Sequence, residues 1–171
     1  MTTSAPSLRK MMQRRKRNRL PDYSYDQPGA YFITVCVKDH KCLLGRVVGV
    51  DDHIDPRVVL SRIGIIVEKY TRLIPGVDHY VVMPNHVHMI LRISSDVPGD
   101  GPMWSSAPTD AKVPTLIRTW KTLISKELGE SIFQRSYYDH VIRNEQDYTN
   151  IAQYILGNPG KWYEDRYYSE I

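Results

Sequence analysis

The chain of 171 residues has little cysteine, little phenylalanine and no long apolar run. Its two cysteines, Cys36 and Cys42, make neither a disulfide framework nor a zinc-ligand pattern, so a reducing cytoplasm is the expected compartment. No apolar stretch approaches the roughly 18 residues of a membrane span. The basic N-terminus has no apolar segment after it, so a secretory signal is not expected. No internal repeat is present. Acid is missing from residues 1–20, where Arg9, Lys10, Arg14, Arg15, Lys16, Arg17 and Arg19 contribute +7. The other 151 residues carry sixteen Lys and Arg against nineteen Asp and Glu, a net of −3. The overall charge of +4 is therefore the property of an arm. A like-charge block behind Ser and Pro reads as a flexible basic arm, 1–20, ahead of one domain spanning 21–171.

What is present is ordinary for a globular chain: 42% hydrophobic and 25% charged residues. A chain of this length buries about 70% of its unfolded surface and needs no staple. Tyrosine supplies 12 of 17 aromatic residues, and each offers a packing face together with a hydroxyl. The run Tyr31–Val37 is β-branched and aromatic, hence a strand. Cys36 falls in this strand and reads as core. Residues 43–60 read as a hairpin or an irregular excursion. From Ser61, an N-cap residue, Ile63, Ile66, Val67, Tyr70 and Ile74 recur at helical spacing until Pro75-Gly76. Val77–Met83 and His86–Ile93 are strands joined by the Pro84-Asn85 turn.

Residues 94–113 read as a polar loop, long for the inside of one domain. A second helix begins near Pro114 with Leu116, Ile117, Trp120, Leu123, Ile124 and Leu128 on one face, and Gly129 ends it. Tyr137–Ile142 is a fourth main strand. Asn144 caps a third helix bounded by Gly157 and Pro159. The order predicts an α+β fold: a ferredoxin-like βαββαβ antiparallel sheet with an added C-terminal helix. In that plan the first and third main strands are central.

The sharpest local signal is Pro84-Asn85-His86-Val87-His88. Alternate residues of a strand share a face, so His86 and His88 point the same way, about 7 Å apart by the strand rise. Two imidazoles so placed can converge on one divalent ion, but they need a further ligand and open positions. Tyr154 and Asn158 lie four residues apart on the third helix and therefore on one face. A helix laid across the free face of the sheet would bring both to the histidines. Tyr148 lies on the same helix, further round from that face, and is a weaker nucleophile candidate.

These residues fall within a wider pattern. The Pro-Asn-His-Val-His strand, the segment Phe133–Asn144, the run Tyr154-Ile155-Leu156-Gly157-Asn158-Pro159 and the opening Arg19–Phe32 resemble, in this order, the REP-associated tyrosine transposases. These are single-tyrosine enzymes of the His-hydrophobic-His class, and the resemblance covers roughly residues 14–163. It implies a DNA strand-cleaving and strand-joining enzyme acting on hairpins of repetitive extragenic palindromes. His86, His88 and Asn158 would hold Mg²⁺ or Mn²⁺, and Tyr154 would attack a phosphodiester of single-stranded DNA. The products would be a 5′-phosphotyrosine and a free 3′-OH. The resemblance places Arg14, Arg15, Lys16, Arg17 and Arg19 near DNA, and the further candidates are Arg118, Lys121, Arg135 and Arg143. If all seven charges of the arm met phosphates of a single strand, the salt slope would be about −5. The protein would be prokaryotic, cytoplasmic and nucleoid-associated, acting as a monomer or homodimer. A non-catalytic nucleic-acid-binding module and a metal-dependent nuclease using water are the competing readings.

Overall fold

The computed structural model describes residues 27–49, 55–94 and 112–169. The basic arm and most of the 94–113 loop lie outside them. Six strands are described: β1 (Gly29–Cys36), β2 (Gly45–Val48), β3 (Arg57–Leu60), β4 (Val77–Val82), β5 (His86–Ile93) and β6 (Tyr138–Ile142). Three α-helices join them: α1 (Arg62–Arg72), α2 (Lys112–Leu128) and α3 (Glu145–Gly157). The fold is α+β, as the element order predicts. The main sheet runs β4-β5-β1-β6 and every pairing in it is antiparallel. Its central strands are β1 and β5, the first and third in chain order among the four. The segment left open between a hairpin and an irregular excursion is a hairpin, with β2 and β3 forming a separate two-stranded sheet.

Both faces of the main sheet are covered, and strand parity decides what each face receives. Tyr31, Ile33 and Val35 of β1 and Val87, Met89, Leu91 and Ile93 of β5 point to one side. There they meet Val67 and Ile74 from the α1 region and Val113, Ile117, Trp120 and Ile124 of α2. The α2 positions step by four, three and four, the period of a single helix face. Trp120 is fully buried, its ring 4.7 Å from that of Phe133. Its indole N–H donates to Thr71 Oγ1 at 3.2 Å, so the polar handle is satisfied inside the core.

The other face carries a smaller apolar cluster, in which Ile90 packs against Ala152 and Ile155 of α3, with Phe32, Val81 and Ile142 around them. This places α3 across the sheet face opposite α1 and α2. Since Ile90, His88 and His86 share parity on β5, the histidines lie on the α3 side. A one-residue slip of β5 would exchange them with Val87 and Met89 and bury them among α1 and α2, so core packing pins their orientation.

Local signals start and stop the helices. Ser61 Oγ accepts from the Gly64 N–H at 3.0 Å, and Asn144 Oδ1 accepts from the Asp147 N–H at 2.8 Å. Gly64 lets α1 approach the backbone at Leu44: a Cβ there would sit 1.9 Å from the Leu44 carbonyl oxygen. α3 ends at Gly157, as the sequence predicts, without a break in the chain's path. Asn158 keeps helical dihedrals (φ −59°, ψ −41°), and the chain continues as a 3-10 helix over Asn158–Glu164.

Candidate metal and nucleophile site

The site forms where the start of β5 meets the end of α3. Pro84 and Asn85 make a tight turn closed by the bond from Met83 N–H to His86 carbonyl, 2.8 Å. His86 and His88 follow, both buried, with ring centroids 4.4 Å apart.

Each imidazole is held by its Nδ1. His86 Nδ1 lies 2.8 Å from Asn85 Oδ1, which can only accept, so this nitrogen carries the proton and Nε2 keeps its lone pair. His86 Nε2 is buried and has no hydrogen-bond partner. His88 Nδ1 lies 2.8 Å from Thr34 Oγ1, on the β1 residue directly opposite it. Its Nε2 faces the Tyr154 hydroxyl at 3.3 Å. Fixing one nitrogen to present the other is how proteins prepare imidazole for a metal. Burial depresses the pKa of both rings, that of His86 to about 4, and the His86 charge adds to the effect on His88. Both rings are therefore neutral near pH 7, the form that ligates.

Tyr154 comes from α3. Ala152 and Ile155 press the helix onto the sheet, which swings Tyr154 towards the histidine end of β5. The ring of Phe32 meets it edge-on at 6.1 Å. The side chain is 42% exposed, so its hydroxyl borders both the buried donors and solvent. Burial and the Asp165 carboxylate raise its pKa, so the phenol is protonated at neutral pH.

Asn158, one turn further on, is 1% exposed. Its Oδ1 is buried without a partner, and its Nδ2 donates to Asp165 Oδ2 at 3.2 Å. The two buried acceptors lacking partners here, His86 Nε2 and Asn158 Oδ1, fit a bound cation, because an orphaned buried lone pair otherwise costs about 1–3 kcal/mol.

Asp165 is the residue that sequence reasoning missed. His86, His88 and Asp165 offer ligand atoms all within 4.8 Å of one another. The Asp165 carboxylate also accepts from the Tyr154 hydroxyl at 3.4 Å. A local turn orients it, with Asp165 Oδ1 accepting from the Tyr167 N–H at 2.7 Å. Nothing in its spacing to the histidines marks it; an aspartate behind a helix end, able to form an Asx-turn, is the local signal that could have flagged it.

The 163–169 segment closes the site. Tyr167 lies over His86 at 4.8 Å and is stacked on His40 at 5.8 Å. Asn85 Nδ2 holds the segment down, donating to the carbonyls of Tyr167 (2.7 Å) and His40 (3.1 Å) and to Ser169 Oγ (3.1 Å). Beside the histidines opens a cleft of about 360 Å³ lined by His40, Tyr138, Arg166, Tyr167 and Tyr168. The Arg166 guanidinium stands 5.5 Å from the Tyr138 ring and 4.4 Å from that of Tyr167.

The other candidates are dispersed. Tyr148 is remote from the histidines: its hydroxyl bonds Asp78 and His79, and Arg92 lies over its ring at 4.7 Å. Tyr31 is wholly buried on the α1–α2 side. The Lys121 ammonium donates to the carbonyls of Gln134, Arg135 and Ser136, and burial lowers its pKa to about 8. Arg118, Arg135 and Arg143 are exposed. Arg14, Arg15, Lys16, Arg17 and Arg19 lie outside the described residues. Cys36 is buried on β1, as read, and its thiol pKa is pushed up to about 11 by burial. Among the described residues, no helix is long and apolar enough to cross a membrane.

No family model matches the chain. An uncharacterized protein of Haemophilus influenzae is 31% identical over 173 residues, covering 90% of this chain and 93% of that protein. A solved structure of a REP-associated tyrosine transposase bound to a REP hairpin superposes with a TM-score of 0.54 and 22% identity, covering 84% of this chain and 73% of that one. The chain thus belongs to one family with the Haemophilus influenzae protein and has the fold of a REP-associated tyrosine transposase.

Proposed function

We propose that the protein is a transposase-like enzyme that cleaves and rejoins single-stranded DNA beside a hairpin, with Tyr154 as nucleophile. The observation that carries this reading is the Tyr154 hydroxyl 3.3 Å from His88 Nε2, inside a cluster of buried donors with free lone pairs. A water-using nuclease has no need of a tyrosine there, and a non-catalytic module has no need of the cluster. On this reading the scaffold is the ferredoxin-like plan with α3 added as the nucleophile helix. The fold shared with the hairpin-bound transposase supports a hairpin as the substrate.

His86, His88 and Asn158 would hold a divalent ion, Mg²⁺ or Mn²⁺, and Asp165 offers a carboxylate oxygen as a fourth donor. Such an ion supplies neutralisation of the charge that develops on the scissile phosphate. The chain's own residues do the rest. Tyr154 is a protonated phenol; with His88 Nε2 given to the ion, the acceptor in reach of its proton is the Asp165 carboxylate, 3.4 Å from the hydroxyl. The phenolate oxygen attacks phosphorus, the bond from phosphorus to the 3′ oxygen breaks, and that oxygen leaves as a 3′-OH once protonated. The 5′-phosphotyrosine keeps the bond energy, so the reverse attack by a 3′-OH rejoins the strand without nucleotide hydrolysis. Arg166 and the rings of Tyr138 and Tyr168 line the neighbouring cleft and would hold the strand by phosphate pairing and base stacking.

The test is a covalent adduct. Protein, Mn²⁺ or Mg²⁺ and a DNA hairpin with single-stranded flanks are incubated and run on a denaturing gel. A shifted protein–DNA band, lost in Tyr154→Phe, is the expected outcome. An undiminished adduct in Tyr154→Phe removes Tyr154 from the role. Cleavage with no adduct establishes the water-using nuclease instead.

A further inference from the structure

The helix that carries Tyr154 is also fastened to the sheet well away from the histidines. β4 pairs with β5 through Val77 opposite Leu91 and Tyr80 opposite Met89, so two residues of β4, Asp78 and His79, stand against the single residue Ile90. This is a β-bulge. Side-chain direction agrees with it. Val77 and Tyr80 both pack on the α1–α2 side of the sheet, although residues three apart on a regular strand point to opposite faces. The extra residue turns Asp78 and His79 together towards α3.

Tyr148, at the end of the first turn of α3, is what they meet. Its hydroxyl donates its one proton to Asp78 Oδ2, which leaves its oxygen to accept from His79 Nδ1, 3.2 Å away. His79 Nδ1 also lies 3.4 Å from Asp78 Oδ1. Arg92 Nε donates to Asp78 Oδ2 at 2.6 Å, and the guanidinium covers the Tyr148 ring at 4.7 Å. A single hydroxyl on α3 is thus gripped from β4 and its ring from β5.

The apolar contact beneath α3 is small: Ile90, Ala152 and Ile155 are its buried members, and Ile90 is the residue opposite the bulge. Apolar contact is non-directional, so it holds a helix down without fixing its rotation. A hydrogen bond at one point fixes it. Tyr148 and Tyr154 are six residues apart, about 9 Å along the helix axis. Turning α3 by about 10° would carry a side chain about 6 Å from that axis through about 1 Å. The Tyr154 hydroxyl stands 3.3 Å from His88 Nε2 and 3.4 Å from Asp165 Oδ2, already at the long end of hydrogen-bond range. A displacement of about 1 Å would break both contacts, and misplacement on that scale can cost about 100-fold in rate.

We propose that the Asp78–His79 bulge is a dock for the Tyr148 hydroxyl that fixes the rotation of α3, which makes Tyr148 a positioning residue for Tyr154. This inference rests on the reading of Tyr154 as the nucleophile, and it adds what sets the aim of that side chain.

Adduct formation is timed under single-turnover conditions at saturating hairpin DNA and Mn²⁺, for the full chain and for Tyr148→Phe, Asp78→Ala, their double variant and Asp78→Asn. The phenylalanine keeps the ring beside Arg92 and loses only the hydroxyl. The rate is expected to fall about tenfold in Tyr148→Phe and in Asp78→Ala, and no further in the double variant, because each change removes the same bond. Asp78→Asn keeps an acceptor oxygen and should retain most of the rate. Affinities for DNA and Mn²⁺ should hold within about twofold, and amide hydrogen exchange along α3 should quicken in both single variants. An unchanged rate in Tyr148→Phe overturns the proposal. Losses that multiply in the double variant overturn the pairing, and a loss of DNA or Mn²⁺ affinity as large as the loss of rate overturns the positioning role. No adduct from the unaltered chain overturns the enzyme reading instead. Exchange along α3 then reads the dock alone, and exchange unchanged by Tyr148→Phe overturns that too.

Discussion

Replacing Asn85 by alanine separates the support of the site from its chemistry. Asn85 is fully buried between the histidine strand and the closing segment. Its Nδ2 serves the carbonyls of His40 and Tyr167 and the hydroxyl of Ser169, while its Oδ1 takes the His86 Nδ1 proton. Ser169 Oγ has a second partner in the His40 carbonyl, 2.8 Å away, so the groups orphaned outright are the Tyr167 carbonyl and His86 Nδ1. At about 1–3 kcal/mol for each buried group left unpaired, the change costs roughly 3 kcal/mol. With a urea slope of about 2 kcal/mol/M, the unfolding midpoint falls by about 1.5 M. His86 also loses the bond that fixes its tautomer, and Mn²⁺ affinity falls by about 10–100-fold, the range for loss of a metal ligand's hydrogen-bond partner. Urea unfolding and calorimetric titration with Mn²⁺ read the two effects. A midpoint within 0.3 M of the unaltered protein, as an approximate threshold, together with unchanged Mn²⁺ affinity, would refute the reasoning. It would mean that Asn85 neither secures the closing segment nor prepares His86.

Two further outcomes follow from the same geometry. Gly64→Ala raises helix propensity by about 1 kcal/mol, yet its methyl would fall 1.9 Å from the Leu44 carbonyl oxygen. A net destabilisation of about 3 kcal/mol is expected by chemical denaturation, and any stabilisation would show that α1 can shift freely. Acid should also weaken the metal-free protein. His86 has its pKa depressed to about 4 when folded, by burial, against about 6.5 when unfolded. Between those values the unfolded chain binds a proton that the folded chain does not, so stability falls as pH drops below about 6.5 and is unaffected by this group above it. The loss reaches about 3 kcal/mol near pH 4 for His86, and His88 acts in the same direction. Urea midpoints measured from pH 7.5 to 4.5 should show the slope, and His86→Gln, which takes up no proton, should make it shallower and leave the His88 part.

Much of the site was legible in one dimension because its parts are periodic. Two residues apart on a strand is one face, and four apart on a helix is one face, so His86 with His88 and Tyr154 with Asn158 are pairs whatever the rest of the chain does. The helix caps at Ser61 and Asn144 were equally readable, since the capping bond spans only three residues. The charge split at residue 20 also belongs to the sequence alone. Tertiary structure decided which face of β5 meets α3, because that depends on how Ile90, Ala152 and Ile155 pack together. It brought in Asp165, Asn85 and Thr34, whose partners lie on other elements and whose spacing in sequence carries no period. It removed Tyr148 from the site by engaging it with Asp78, His79 and Arg92. It also gathered Arg118, Lys121 and Arg135 onto one groove, where the Lys121 ammonium holds the Arg135 carbonyl. Local periodicity fixes which side chains travel together; only the packing of layers fixes what they meet.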